Sequence, residues 1–381
     1  MKLTALGSGY YRVYKNGVEV SKHTSEREAL ESAFAQEQAD PAAEITYIHE
    51  YEVKVEAPVP PPPAPTPVPS PTPAPTGPDI FYAPDCIWNK KLDGSEPVHA
   101  NSAGFISELY INLRGQNAWI NAIPYGVPLF YTSDKDPLTP IYDISSGHAL
   151  SVVTEILKWG IHLPANFNPA GGTDGHAFLY NVSTGFEYGF WKLNFNTTTQ
   201  RWECLSAYIA HNAMAGDGTT NKMHVDWNSA TASHINLGAG LIRKRDLEAG
   251  VIPHALAFAT HVDRCARAVV YPAKTSDGRG TAVNSIPMGT RMTFKKDIFI
   301  DPALTPLTKM LIVAVRDHGM ILRDTTQANG VAFYAEDTTQ FGHTGATEIF
   351  APYVNGKTLD KIVGNKNADG EFPWSKLVVL A

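Results

Sequence analysis

Alternation of apolar and polar positions dominates the front of the chain. Tyr10 to Tyr14 and Val18 to Ser21 alternate around Asn16-Gly17, a pair suited to the positive φ angles of a two-residue turn, and so predict a β-hairpin. Ser25-Glu26-Arg27-Glu28 then supplies a capping box, which predicts a helix over about 26–38 that ends before Asp40-Pro41. Residues 44–56 alternate once more as a last strand. Residues 1–57 therefore read as a small ββαβ domain. Residues 58–78 break every pattern: proline fills twelve of their 21 positions, too many for the backbone to donate to a helix or sheet. This linker is expected as polyproline II, holding its ends ~65 Å apart when fully extended at roughly 3.1 Å per residue.

From residue 79 to 381 both periodicities occur. Asn101-Ser102 caps a predicted helix reaching about 113, and Ser146 another reaching about 159. Pro253 suits the first turn of a helix over HALAFATHVDRCA, and 303–317 reads as a helix closed by His318-Gly319. Strand-like runs span Ala177 to Tyr180, Phe186 to Phe195, Arg201 to Ile209, Ala268 to Tyr271, Arg291 to Phe294, Met320 to Leu322 and Val331 to Tyr334. Strands cluster instead of alternating with helices, which predicts an α+β domain with a mainly antiparallel sheet or sandwich and flanking helices.

Composition adds exclusions. With 43% hydrophobic and 18% charged residues among 381, a sizeable core can be buried. A net charge of -7 argues against nucleic acid as the main partner, since phosphate binding needs clustered Lys and Arg. Acid is concentrated in residues 1–57, with ten acidic and six basic side chains. No apolar stretch is long enough for a membrane span, and MKLTALGSGYYRVYK lacks the apolar core of a secretory signal. The expectation is a soluble protein, extracellular or virion-associated without a standard signal peptide. Cys86, Cys204 and Cys265 are too scattered for a disulfide framework or a CxxC zinc site.

Candidate chemistry begins at Gly171-Gly172-Thr173-Asp174-Gly175-His176, a polar loop opening into an apolar strand. The Asp174 and His176 spacing suits a carboxylate orienting an imidazole, two ligands of one metal, or a plain turn. In FEYGFWKLNF, Glu187, Gly189 and Trp191 share one strand face, placing an acid beside an indole with an open patch between them. Such an acid, partly desolvated, has its pKa raised toward that of a general acid, and aromatic rings stack on sugars. His224-Val225-Asp226-Trp227 and His211 could join Asp174 and His176 in a mixed metal site, although chance pairs are expected among 13 histidines, so the metal requirement stays open. His254 follows Pro253 among apolar neighbours, and Glu336 and Asp337 end a strand, where at most one of the two faces a given cleft. No GxGxxG, P-loop or GxSxG occurs, and no cofactor is expected.

The segments YRVYKNGVEVSKHTSEREAL and YIHEYEVKV resemble an accessory domain of phage-encoded proteins, which implies attachment to a virion or cell-surface partner. Ile87-Trp88-Asn89, GTDGH, LGAGLIRKRDLEAGVIPHALAFA, Ser276-Asp277-Gly278 and FYAED together resemble a largely uncharacterised family of exported proteins from soil actinobacteria and their phages. That resemblance spans nearly all of the large domain and implies importance for Asp174, His176, His254, Glu336 and Asp337, without naming an activity. It also implies an acid where Gly189 stands and a serine where Cys86 stands, so Glu187 is not carried over by it.

Taken together, the reading is a carbohydrate-active enzyme, a glycoside hydrolase degrading a polysaccharide. Glu187 or Glu336 would serve as acid, Asp174 as base or nucleophile, and His176 and His254 as orienting groups. Trp191, Tyr180, Trp227 and Asp337 would bind substrate. The alternatives are a polysaccharide lyase, with His176 or Tyr180 removing a proton from a uronate, a non-catalytic glycan-binding adsorption protein, and a peptidase or amidase using Cys86.

Overall fold

The computed structural model describes residues 77–113, 117–144, 157–219, 229–345, 347–364 and 370–381, together with five strands within residues 1–57. These five are β1 (Leu3–Ala5), β2 (Tyr10–Lys15), β3 (Val18–His23), β4 (Ile45–Glu50) and β5 (Val53–Val55). The expected hairpin forms as β2 against β3, β4 joins the other edge of β2, and β1 pairs with β5. The helix expected over 26–38 lies outside the described residues.

In the large unit, α1 (Ser102–Leu113) is followed by β6 (Asn117–Asn121), β7 (Leu129–Thr132), β8 (Leu138–Thr139), β9 (Ile141–Asp143) and β10 (Ile161–His162). Next come β11 (Ala177–Asn181), β12 (Glu187–Trp191), β13 (Asn194–Asn196), β14 (Arg201–Cys204) and β15 (Ser206–Ala210). Then follow α2 (Lys244–Ala249), β16 (Leu256–His261), β17 (Cys265–Val269), β18 (Ile286–Met288), β19 (Arg291–Phe294), α3 (Pro306–His318), β20 (Met320–Thr326) and β21 (Gly330–Tyr334). The chain closes with α4 (Leu359–Val363) and β22 (Leu377–Val379). Of the helix expected to end near 159, only residues 157–159 are described, and they are helical.

The class is α+β with sheet predominating. A six-stranded sheet runs β22-β19-β20-β16-β21-β6 and a four-stranded one β15-β12-β11-β7. Both are mixed: β16 lies parallel to β20 and antiparallel to β21, and β11 lies parallel to β7 and antiparallel to β12. The helix expected over HALAFATHVDRCA is instead strand β16, turning into β17. Lying between β20 and β21, β16 is buried on both faces at all but its last residue, so its sequence is apolar at every step and loses the alternation that marks a half-buried strand. By contrast α3 forms as its caps require: Thr305 accepts from the Thr308 N–H, Pro306 occupies the first turn, and Gly319 ends the helix at φ 89°.

Each face of the four-stranded sheet buries a different core. Phe178, Tyr180, Trp191 and Tyr208 turn toward the main core, which also holds the six-stranded sheet. Ala177, Leu179, Tyr188, Phe190 and Ala207 turn the other way, onto Phe130, Ile141, Leu157 and Leu163. Period two then fixes where Glu187 goes. It pairs across with Tyr180 and shares the face of Gly189, so its carboxyl enters the main core.

One irregularity places the polar groups. The β16–β20 ladder pairs Phe258 with Leu322 and resumes at Ala259 with Asp324, leaving Arg323 as an extra residue in β20. A bulge of this kind re-aims side chains and is common beside functional sites. Among the described residues, no helix is long and apolar enough to cross a membrane.

Candidate functional site

Three polar groups of the large unit hold the candidate residues described, and the first is built around Glu187. Glu187 is fully buried, and its Oε1 accepts from the Tyr208 hydroxyl at 2.5 Å and the Tyr82 hydroxyl at 3.2 Å. Tyr208 in turn accepts from the Leu237 backbone N–H at 2.7 Å. Burial pushes Glu187 up to about 7, against the opposing pull of Tyr208, Tyr82 and Asn236. Glu187 Oε2 and the Asn236 carbonyl oxygen are both buried without a hydrogen-bond partner. The expected elevation of this acid is therefore present, but its place is the packed interior and not a groove wall.

The IWN motif supports this group from outside. The Asn89 side-chain amide donates to the carbonyls of Phe81, Tyr82 and Ala83, holding a turn in which Tyr82 sits at φ 70°. Gly189, where the resemblance implies an acid, faces the Tyr208 ring, and a Cβ there would stand 2.0 Å from it. Gly189→Ala is expected to force Tyr208 away from Glu187 and lower stability by about 1–3 kcal/mol, measurable as a fall in denaturant midpoint with unchanged m.

The second group holds His254 and Glu336. Arg243, buried just before α2, grips Asp246 with Nε at 2.9 Å and Nη2 at 2.7 Å, and His254 Nε2 lies 3.3 Å from the same carboxylate. Burial works against ionisation of Asp246, yet the hydrogen bonds and charges of His254 and Arg243 hold it down at about 2. Glu336 Oε2 accepts from the Lys244 N–H at 2.8 Å, and burial raises this acid to about 7. Asp337 is turned back on its own chain, accepting from the Thr339 N–H and hydroxyl. Gly240 at φ 70° lets this segment pass within reach of Ala257 and Trp88, where a Cβ would collide with backbone. The RKRDLEAGVIPHALAF and FYAED segments thus meet in a buried ion-pair lock. Asp246→Asn, which leaves Arg243 buried without its counter-charge, is expected to cost about 3–5 kcal/mol in urea unfolding.

The third group combines solvent access with perturbed charge. Asp174 is half-buried on the loop before β11, where Gly175 at φ 47° turns the chain, and the exposed Tyr125 ring lies against Gly172. His176 is buried, and its Nε2 lies 3.1 Å from the Ala230 carbonyl. Because a carbonyl only accepts, Nε2 carries the proton and Nδ1 presents a bare lone pair, which has no partner. Burial drives His176 down to about 4, opposed by the Asp174 charge and assisted by Arg323. Asp174 and His176 are thus coupled through charge, without a hydrogen bond between them.

Arg323 reaches the Leu237 and Ala239 carbonyls through Nη1, and its Cζ sits 3.9 Å from the centre of the Tyr334 ring. Next to it, half-buried Asp324 is raised to about 7, first by burial and then by the negative charge of Asp277. Asp277 is exposed and accepts from the Thr325 hydroxyl at 2.7 Å. Burial lifts the Tyr334 phenol far above its ordinary value, with Asp324 and Asp174 adding to the effect.

A single stretch, Ser229–Ala239, ties these parts together. Ala230 O meets His176, Ala232 N–H pulls on Asp324, Ala232 O accepts from Thr275, Ser233 O accepts from Lys274 N–H, and Leu237 touches both Tyr208 and Arg323.

Of the sequence-derived candidates, Asp174 and His176 stand in the third group and Glu187 and Tyr180 adjoin the first. His254 and Glu336 form the second, and Asp337 lies beside it. Trp191 is half-buried with the Lys192 ammonium over its ring at 4.7 Å, while His224, Asp226 and Trp227 lie outside the described residues. Trp88 and Trp374 are core residues. Among the described residues, no cluster of three or more His, Cys, Asp or Glu is arranged to hold a metal ion. Cys86 is buried and its thiol is raised by burial, which leaves it a poor nucleophile. Sequence reasoning missed Arg323, Asp324, Tyr82 and Tyr208. An Arg-Asp pair directly following the apolar Met320-Ile321-Leu322 was the one available signal. Compared with protein-family models, curated proteins and solved structures, the chain matches none of them.

Proposed function

We propose that the large domain is a glycoside hydrolase acting on a polysaccharide, with Asp324 as general acid and Asp277 as its ionised partner. The observation that carries this reading is the pair itself. The Asp277 charge acts on Asp324, the Asp324 carboxyl is raised to about 7, and the pair runs from half-buried Asp324 to exposed Asp277. Pairs of acids whose environments separate their pKa values are the signature of acid–base division of labour at a glycosidic bond. Asp324 would give its proton to the leaving glycosidic oxygen as the C–O bond breaks. Asp277 would take a proton from water while the water oxygen bonds to the anomeric carbon, so that one water is consumed per bond cut. Tyr125, exposed beside the Asp174 loop, supplies an aromatic surface for a sugar face.

A polysaccharide lyase is the second reading, favoured by the free Nδ1 lone pair of His176 and the adjacent Arg323. The two are separated by product: hydrolysis releases reducing sugar alone, whereas elimination leaves an unsaturated uronate. Reducing-sugar release over chitosan, xylan, mannan, pectin and alginate, repeated with Asp324→Asn, tests the proposal. Release that survives the substitution, or binding with no release from any polymer, would overturn it. The second result would indicate an adsorption protein.

A further inference from the structure

Two arginines of this domain are almost wholly buried, and their Nε–Nη2 edges differ. Arg243 is 1% exposed and Arg323 0%. Arg243 uses its Nε and Nη2 edge, two parallel N–H groups, to hold both oxygens of Asp246. On Arg323 the same edge has no acceptor: Nε and Nη2 are both buried and unpartnered. Its Nη1 is taken by two carbonyls, and Tyr334 covers one face of the guanidinium.

A buried cation ordinarily has an anion against it, because desolvating an unpaired charge costs several kcal/mol. The nearby acids do not fill that place. Asp324 accepts from the Thr325 N–H within β20 and is raised to about 7, and Glu187 is held by two tyrosines. The second unpartnered buried atom of this group is His176 Nδ1, a lone pair that accepts a hydroxyl, on a ring close enough for the Arg323 charge to act on it. A bidentate donor for two oxygens together with an acceptor for one hydroxyl is the complement of a sugar carrying a carboxylate.

We propose that the Nε–Nη2 edge of Arg323 is a carboxylate subsite, and that the glycan taken by this domain is a uronate polymer. The proposal deepens the hydrolase reading and rests on it for the word glycan. Asp324, next to the arginine in sequence, and Asp174, whose charge acts on His176 and Tyr334, are half-buried and connect this group to the surface. The β20 bulge sets Arg323 outside the β16 ladder, directly before Asp324.

The test is calorimetric binding by the full chain of pectate and alginate oligosaccharides, each set against its carboxyl-reduced, neutral counterpart. The acidic forms are expected to bind at least about tenfold more tightly. Arg323→Lys, which keeps the charge and loses the fork, is expected to abolish that preference. Should Arg323→Lys fail to fold, the wild-type comparison decides alone. Equal binding of acidic and reduced forms, or no binding of either polyuronate, overturns the subsite. So does a preference that added salt removes from wild type and Arg323→Lys alike, which would assign it to diffuse surface charge. Cleavage of a neutral polymer that depends on Asp324, with no acidic preference, would sink the subsite and spare the hydrolase. Acidic preference without cleavage would do the reverse.

Discussion

Asp324→Asn is expected to lower glycan cleavage by about 10²–10⁴-fold, the range associated with loss of a positioned general acid, with no loss of thermal stability. Fold integrity should survive because the wild-type carboxyl is already disfavoured in its charged form, being raised to about 7 by burial and by Asp277. Its amide replacement still accepts the Thr325 N–H. The pH profile gives a sharper check. If Asp324 must be protonated to act, kcat/KM in the wild type should fall as pH rises through about 7. Removing the Asp277 charge takes away the second cause of that elevation. Asp277→Asn should therefore move the alkaline limb of the residual activity to lower pH. A limb that stays in place, or an Asp324→Asn protein with wild-type rates, would reassign the acid.

Glu187→Gln is expected to change the dependence of stability on pH by about 3 kcal/mol, the worth of a pKa raised from 4.5 to about 7. The sign follows from where the proton is held. Folded Glu187 keeps its proton more tightly than the unfolded chain does, so its contribution is complete below 4.5 and is lost as pH rises through 7. Glutamine does not titrate. It retains an oxygen for Tyr82 and Tyr208. The variant should therefore gain on the wild type as pH rises from 4.5 to 8, by several degrees in Tm. Comparing the two proteins matters because Glu336 and Asp324 act in the same direction, whereas His176 and His318, both lowered to about 4 by burial, act in the opposite one. The difference isolates Glu187. Parallel curves for the two proteins would mean that this carboxyl is ionised and solvated.

What the sequence disclosed follows the reach of local periodicity. The hairpin around Asn16-Gly17, α1 behind Ser102, α3 with Pro306 and Gly319, and strands such as Arg291–Phe294 all carry their signal within a few residues. The β16 segment misled because burial on both faces removes alternation and leaves an apolar run that a helix could also wear. Strand β20 was read as ending at Leu322, since Arg323-Asp324 looks like a solvated terminus when nothing shows that a bulge buries the arginine. The elevation of Glu187 was foreseeable from its aromatic neighbours, but its partners Tyr82 and Tyr208 lie 105 and 21 residues away and no spacing rule joins them. The same holds for the lock of Arg243, Asp246, His254 and Glu336, where a chemically suggestive set turned out to hold the backbone together.

The stretch Ser229–Ala239 meets both walls of the candidate site through peptide carbonyls and amides. Main-chain groups are indifferent to the identity of the residue that bears them. These contacts survive any change of letter that the surrounding core accepts, whereas losing or gaining a single residue would shift every contact at once. Its length, as well as its composition, is what natural selection has to guard.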